Sequence, residues 1–254
     1  MSFRFLGVRY APKPLRFGYS TPLTSNDSQS ALSYGAECLQ LPGVGSEDCL
    51  FLNIFTPYLP DTSHPIDVQK LRSVMLYIHG GAFISGSGAD SEYDGGNMAS
   101  RGDIVVVTIN YRLGPFGFLP LNDTIANGNY GLADQVTALD WVKANIAAFG
   151  GDQNRITIAG QSAGAASVHA LLGSPPAVGK YAAAMPMSNV GGVGIFSLYN
   201  TFPSIGEGSI IVAAPVLAAT GCVSATSQID CLRTADAQVV LGAGGAIMPF
   251  VSPI

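Results

Sequence analysis

Charge is scarce in this sequence. Lys, Arg, Asp and Glu make up 11% of its 254 residues, less than half the roughly 25% of an ordinary soluble domain. What charge there is leans acidic, 12 cations against 17 anions for a net −5. That balance excludes a general nucleic-acid or anionic-membrane binder, which needs a basic surface. No apolar run reaches the roughly 20 residues of a bilayer-spanning helix; the greasiest, Ile210 to Ala219, has ten and contains Pro215. The N-terminus does not read as a signal peptide, because Arg4 and Arg9 fall where an apolar core would have to lie. Repeats at solenoid or propeller periods are missing. So are a zinc-ligand spacing, a phosphate loop of the G-x-x-x-x-G-K type and a dinucleotide fingerprint, and no cofactor is implied. Histidine is nearly absent too, at three positions: His64, His79 and His169.

Apolar residues, by contrast, make up 48% of the chain, with 31 glycines and 16 prolines spread through it without a period. That composition buries a large core and excludes disorder, collagen and low-complexity tracts. Four cysteines fall as two local pairs, Cys38 with Cys49 and Cys222 with Cys231. Four allow three connectivities, and the spacing favours 38–49 with 222–231; buried free thiols are the alternative. Asn26-Asp27-Ser28 and Asn122-Asp123-Thr124 are glycosylation sequons. Taken together these point to a secretory protein whose leader is missing from this sequence.

The middle of the chain reads as α/β. Val74–His79 and Ile104–Asn110 are apolar runs without alternation, which suits strands of a parallel sheet covered on both faces. From Gly131 to Phe149, residues Leu132, Val136, Leu139, Val142 and Ile146 recur at helical spacing, and Gly150-Gly151 supplies the stop. Trp141 lies beside that apolar face and reads as core. A third strand, Ile156–Ala159, precedes a small-residue helix from Ala163 to Leu172. Strand, helix, strand, helix in succession gives a mostly parallel sheet.

Gly160-Gln161-Ser162-Ala163-Gly164 is a G-x-S-x-G pentapeptide between that strand and that helix, the nucleophile elbow that the α/β-hydrolase fold places there. Small residues at 160 and 164 let strand and helix pass closely enough to hold Ser162 in a strained turn. The helix beginning at Ala163 then points backbone N–H groups at the reacting carbonyl. About eighty residues earlier, His79-Gly80-Gly81-Ala82-Phe83 follows the first strand. A Gly-rich loop at a strand's C-terminal end exposes N–H groups of the kind an oxyanion hole requires.

Longer stretches carry a family resemblance. Phe149-Gly-Gly-Asp-Gln-Asn-Arg-Ile-Thr-Ile-Ala-Gly-Gln-Ser-Ala-Gly164 resembles the active-serine signature of type-B carboxylesterases, the family of cholinesterases and fungal esterase-lipases. Glu47-Asp-Cys-Leu-Phe-Leu-Asn-Ile-Phe-Thr-Pro57 resembles its second signature, and Asn110–Phe118 and Asn129–Gln135 extend the similarity. The resemblance runs to about Ser188; beyond it only the Cys222–Cys231 pair and Cys231-Leu-Arg233 resemble the fungal members. It implies an α/β-hydrolase that splits small-molecule esters through a covalent acyl intermediate on Ser162. The same motifs imply oxyanion donors at the N–H groups of Gly81, Ala82 and Ala163, and structural ion pairs Arg16–Glu47 and Arg112–Asp134. They set no oligomeric state.

The triad of this fold runs Ser, Asp or Glu, then His. Of the 92 residues after Ser162, only Glu207, Asp230 and Asp236 are acidic and only His169 is a histidine. His169 lies seven residues down the helix, a rise of roughly 10 Å from the serine, too far to take its proton. His79 precedes the serine and is expected to shape the oxyanion loop; His64 sits in a polar loop. The acid and base are therefore expected past residue 254. Because Phe5-Leu-Gly-Val-Arg-Tyr-Ala-Pro-Lys-Pro14 resembles a stretch inside the family domain, residues 1–254 read as a partial domain cut at both ends. Gln161 stands where many relatives carry Glu. Only ten residues separate Cys38 from Cys49, where lipases of the family have a longer lid; a lidless esterase for short, soluble esters is expected. Two competing readings are a non-catalytic relative and an inert truncated product, whose sheet would present an unpaired edge.

Overall fold

The structure, a computed structural model, describes residues 1–24, 27–61, 63–121, 123, 125–189 and 204–244. The first sequon asparagine, Asn26, and both ends of the second, Asn122 and Thr124, lie outside them. Among the described residues six strands form one sheet: β1 (Phe3–Arg9), β2 (Phe51–Thr56), β3 (Arg72–Ile78), β4 (Val105–Ile109), β5 (Gly151–Gln161) and β6 (Ala183–Met187). Their spatial order is β1-β2-β4-β3-β5-β6. The β4–β3, β3–β5 and β5–β6 pairings are parallel, while β1 and β2 join antiparallel at one edge.

Buried strands read as continuous apolar runs because both faces are covered. All five residues of β4 are buried, and successive residues serve opposite sides of the sheet. Val105, Val107 and Ile109 enter the main core. Val106 instead meets Phe55 and Ala99 of α1 (Gly96–Gly102) in a smaller cluster. After α2 (Gly114–Phe118) comes α3 (Tyr130–Asn145), which ends four residues before the expected stop and tightens into a 3-10 turn, Ile146–Phe149. Leu132, Leu139, Val142 and Ile146 are buried as their spacing requires, and Trp141 is core. Helix α4 (Ala163–Leu172) packs on β3, β5 and β6. Strand β6 is the outermost on this side among the described residues, with Ala183, Met185 and Pro186 exposed along it.

Residues 204–244 form a helical unit: α5 (Ile205–Gly208), a π turn (Ser209–Ala213), α6 (Ala214–Thr220), α7 (Gln228–Thr234) and α8 (Ala237–Gly244). The greasy stretch Ile210–Ala219 lies in the π turn and α6, and no helix among the described residues is long and apolar enough to cross a membrane. Val212, Val216, Leu232, Val240 and Leu241 pack against Phe17, Phe116 and Leu119 in a second cluster. Disulfides Cys38–Cys49 and Cys222–Cys231 are formed, as bonding of the two local pairs requires.

Arg16 joins this unit to the sheet layer. Its Nε and Nη2 donate to the Glu47 carboxylate, both at 2.7 Å. Nη1 donates to the carbonyls of Leu232, at 3.3 Å, and Ala235, at 2.6 Å. The second ion pair is fully buried: Arg112 Nε and Nη2 reach Asp134 at 2.7 and 2.8 Å. Arg112 Nη1 also donates to the Gly18 carbonyl. Each buried charge is thus matched and hydrogen-bonded, the condition for tolerating it in a core.

Candidate active site

The parallel strands end level with one another. Ile78 of β3 pairs with Gly160 of β5, and Gly160 pairs with Pro186 of β6. At this rim β5 turns directly into α4 through Ser162, whose backbone sits at φ 56°, ψ −118°. L-residues rarely adopt such a conformation. The flanking glycines explain how it survives here. A Cβ on Gly164 would lie 2.0 Å from the Ile78 carbonyl oxygen, and one on Gly160 would lie 2.5 Å from the Gly164 backbone. Strand β3, β5 and the start of α4 therefore touch backbone to backbone. Ser162 itself is half-buried, with its N–H donating to the Met187 carbonyl at 3.1 Å. Its hydroxyl makes no capping bond to α4.

The loop after β3 folds over the same point. A Cβ on Gly80 would come within 3.3 Å of the Ser162 Cβ and 2.9 Å of the Gln161 carbonyl oxygen. Gly81 (φ 102°), Ala82 (φ 53°) and Phe83 (φ 63°) run consecutively through left-handed backbone. Among the described residues the N–H groups of Gly81, Ala82 and Ala163 donate no hydrogen bond. Unmade donors beside a serine are the chemical requirement for receiving an oxyanion.

A network missed by sequence reasoning holds the loop. Asn110 Oδ1 accepts from Gly88 N–H at 2.8 Å and Ser87 Oγ at 3.1 Å. Its Nδ2 donates to the carbonyls of Ala36 and Cys49. Gln40 bonds both backbone groups of Gly86, and the Gly114 N–H donates to the Phe83 carbonyl at 2.7 Å. Asn110 and Gly114 both fall in the Asn110–Phe118 stretch, which directly follows a strand; that placement was the available signal. An open cavity of about 630 Å3 flanks the loop, lined by Tyr34, Glu37, Gln40, Ser85 and Asp90 among others.

The three histidines lie in different surroundings. His64 is exposed and paired with Asp61 at 3.2 Å, and His169 lies on α4, two turns past the serine. His79 is buried, stacked on Tyr111 with ring centroids 4.4 Å apart, and its Nδ1 is 2.7 Å from the Gly80 carbonyl oxygen. A carbonyl only accepts, so Nδ1 carries the hydrogen. Burial lowers the His79 pKa to about 4, against smaller opposing effects of the Gly80 carbonyl and Asp90. The ring is therefore neutral at pH 7.

The chain is similar to known esterases. Para-nitrobenzyl esterase of Bacillus subtilis (strain 168) is 42% identical over 195 residues, 70% of this chain and 38% of that protein. Esterase E4 of Myzus persicae is 36% identical over 260 residues, 98% of this chain and 45% of that protein. Among solved structures, a PNB esterase superposes with a TM-score of 0.82 at 36% identity, covering 99% of this chain and 53% of its own. A Geobacillus stearothermophilus carboxylesterase also gives 0.82, at 38% identity, covering 98% and 52%. The chain thus spans about half the length of the relatives it matches, and it shares their α/β-hydrolase fold. A sequence profile of the carboxylesterase family matches residues 3–248, and the chain belongs to that family.

Proposed function

We propose that residues 1–254 are the nucleophile-bearing part of a serine carboxylic ester hydrolase. In this reading Ser162 attacks the acyl carbon, forming a tetrahedral oxyanion that collapses to an acyl-enzyme by expelling the alcohol. The N–H groups of Gly81, Ala82 and Ala163 stabilise the oxyanion, each worth on the order of 3 kcal/mol of barrier. The carrying observation is the coincidence of a strained Ser162, followed in sequence by the unmade donor of Ala163, with a loop that packs against it at Gly80 and carries the unmade donors of Gly81 and Ala82. A serine needs a base at neutral pH. None of the three histidines supplies it, so the base and its carboxylate partner belong to residues the 254 do not include.

The short Cys38–Cys49 loop favours small, soluble esters as substrates, with no lid to open at a lipid surface. Two formed disulfides suit an oxidising compartment, and the protein is read as secreted. The test treats an extract of the source organism with a tagged fluorophosphonate and maps the adduct. Label on Ser162 in a band much heavier than 26.2 kDa is the expected result. Label at 26.2 kDa would overturn the missing base, and a Ser162 unlabelled in every band would favour a non-catalytic relative. A full-length enzyme whose rate jumps above the substrate's solubility limit would rule out the lidless reading.

A further inference from the structure

In a planar trans peptide the carbonyl of one residue and the N–H of the next point in opposite directions. Fixing the carbonyl therefore aims the N–H. Each of the three unmade donors, those of Gly81, Ala82 and Ala163, belongs to a peptide whose carbonyl is held. The Ser162 carbonyl accepts from Ala166 N–H at 3.0 Å, which aims the N–H of Ala163. The Gly81 carbonyl accepts from the N–H groups of Ile84 and Ser85, both at 3.0 Å, which aims the N–H of Ala82. Both of these holds are made by backbone and survive most substitutions.

The Gly80 carbonyl is different. Among the described residues its one donor is a side chain, Nδ1 of His79 at 2.7 Å, and this bond aims the N–H of Gly81. His79 is in turn fixed from behind by Tyr111. The Tyr111 hydroxyl donates to the His79 carbonyl at 3.0 Å, and the two rings stack with 19° between their planes. A Cβ on Gly86 would stand 2.5 Å from Nδ1 and 2.7 Å from the Gly80 carbonyl oxygen, so the glycine leaves room for the bond.

We propose that His79 is a positioning residue for the reaction at Ser162, fixing the Gly81 N–H by holding the other end of the same peptide, with Tyr111 as its support. The role needs neither proton transfer nor contact with substrate. It rests on the oxyanion reading given above, so its test carries a readout that does not depend on reactivity. That readout is the 15N relaxation order parameter of the Gly81 amide in the 254-residue chain, measured beside the rate of fluorophosphonate attachment to Ser162 in the heavier protein that carries the base. His79→Phe keeps a ring on Tyr111 and removes the donor. The Gly81 order parameter is expected to fall from the rigid range, about 0.85, to below about 0.6. Attachment is expected to slow about 100-fold, the effect of losing one oxyanion donor. His79→Asn restores a donor at the Nδ1 position and is expected to recover both values, which a purely structural role would not predict. Should His79→Phe fail to fold, Tyr111→Phe removes only one hydroxyl and is expected to loosen the Gly80 and Gly81 amides. A Gly81 amide that stays rigid in whichever of these variants folds would overturn the proposal. If Ser162 of the heavier protein takes no label while His79→Phe still loosens Gly81 in the 254-residue chain, the nucleophile reading fails and the positioning role stands.

Discussion

Ser162 and Ser204 both stand immediately before a helix, and they are used in opposite ways. Ser204 has extended backbone, φ −60° and ψ 163°, and its hydroxyl accepts from the Glu207 N–H while the Glu207 carboxylate returns to the Ser204 N–H. Ser227 caps α7 in the same manner through the Asp230 N–H. Those hydroxyls satisfy their own helices, which is what capping serines ordinarily do. Ser162, at φ 56° and ψ −118°, gives its helix no side-chain bond, so the first N–H of α4 and the hydroxyl both remain for outside chemistry. The elbow forgoes local stabilisation, and its surroundings must supply the difference. Glycines at 160 and 164, buried strands on both sides and the Met187 carbonyl do so.

The comparison can be broken most severely at Gly164. Gly164→Ala puts a methyl 2.0 Å from a backbone oxygen that cannot yield. A loss of about 4 kcal/mol or more is expected in urea unfolding, at the extreme of single-substitution effects. Acid should act next, through His79, whose folded pKa of about 4 lies below its ordinary 6.5. Between these values the unfolded chain binds more protons, so stability is full above about pH 6.5 and falls as pH drops towards 4. The loss approaches about 3 kcal/mol; His79→Phe should flatten that part of the pH profile. Removing the Cys222–Cys231 bond by a double change to Ala relaxes a closed loop with a sequence separation of 9. It should lower stability by about 2–3 kcal/mol while leaving the Gly81 amide as rigid as before. The smallest effect sharpens the contrast directly. Ser204→Ala is expected to cost about 1 kcal/mol as a lost cap. Ser162→Ala, with no cap to lose, should stay within about 0.5 kcal/mol of the parent in the same melt, although it removes the proposed nucleophile.

The elbow was legible in the sequence because sterics compel it: nothing larger than glycine fits at 160 and 164. Strands β3 and β4 were legible because burial on both faces writes an unbroken apolar run. Strand β6 was not, since Ala183–Met187 has no β-branched residue, carries Pro186 and is half exposed. Strand β1 is interrupted at Gly7, where φ is 70° and the register with β2 shifts, so its alternation is broken. Helix α2, Gly-Pro-Phe-Gly-Phe, is built from poor helix formers and is held by its buried surroundings. Within the site, the serine and the glycine loop announce themselves by residue type. The bonds from His79 to Gly80 and from Tyr111 to His79 do not, because they depend on where a neighbouring strand delivers its side chains.

Arg16 adds a consequence in time. Its guanidinium meets Glu47 early, 31 positions away, but the carbonyls that complete its shell belong to residues 216 and 219 positions later. At translation speeds of about 5–20 residues per second, those partners arrive roughly 10–40 s after Arg16 itself. Throughout that interval the Arg16 Nη1 donor lacks both carbonyls, and the face of α2 that will receive α8 stands bare. A nascent chain is therefore obliged to wait for α7 and α8 before the shell of Arg16 is complete and this layer is sealed.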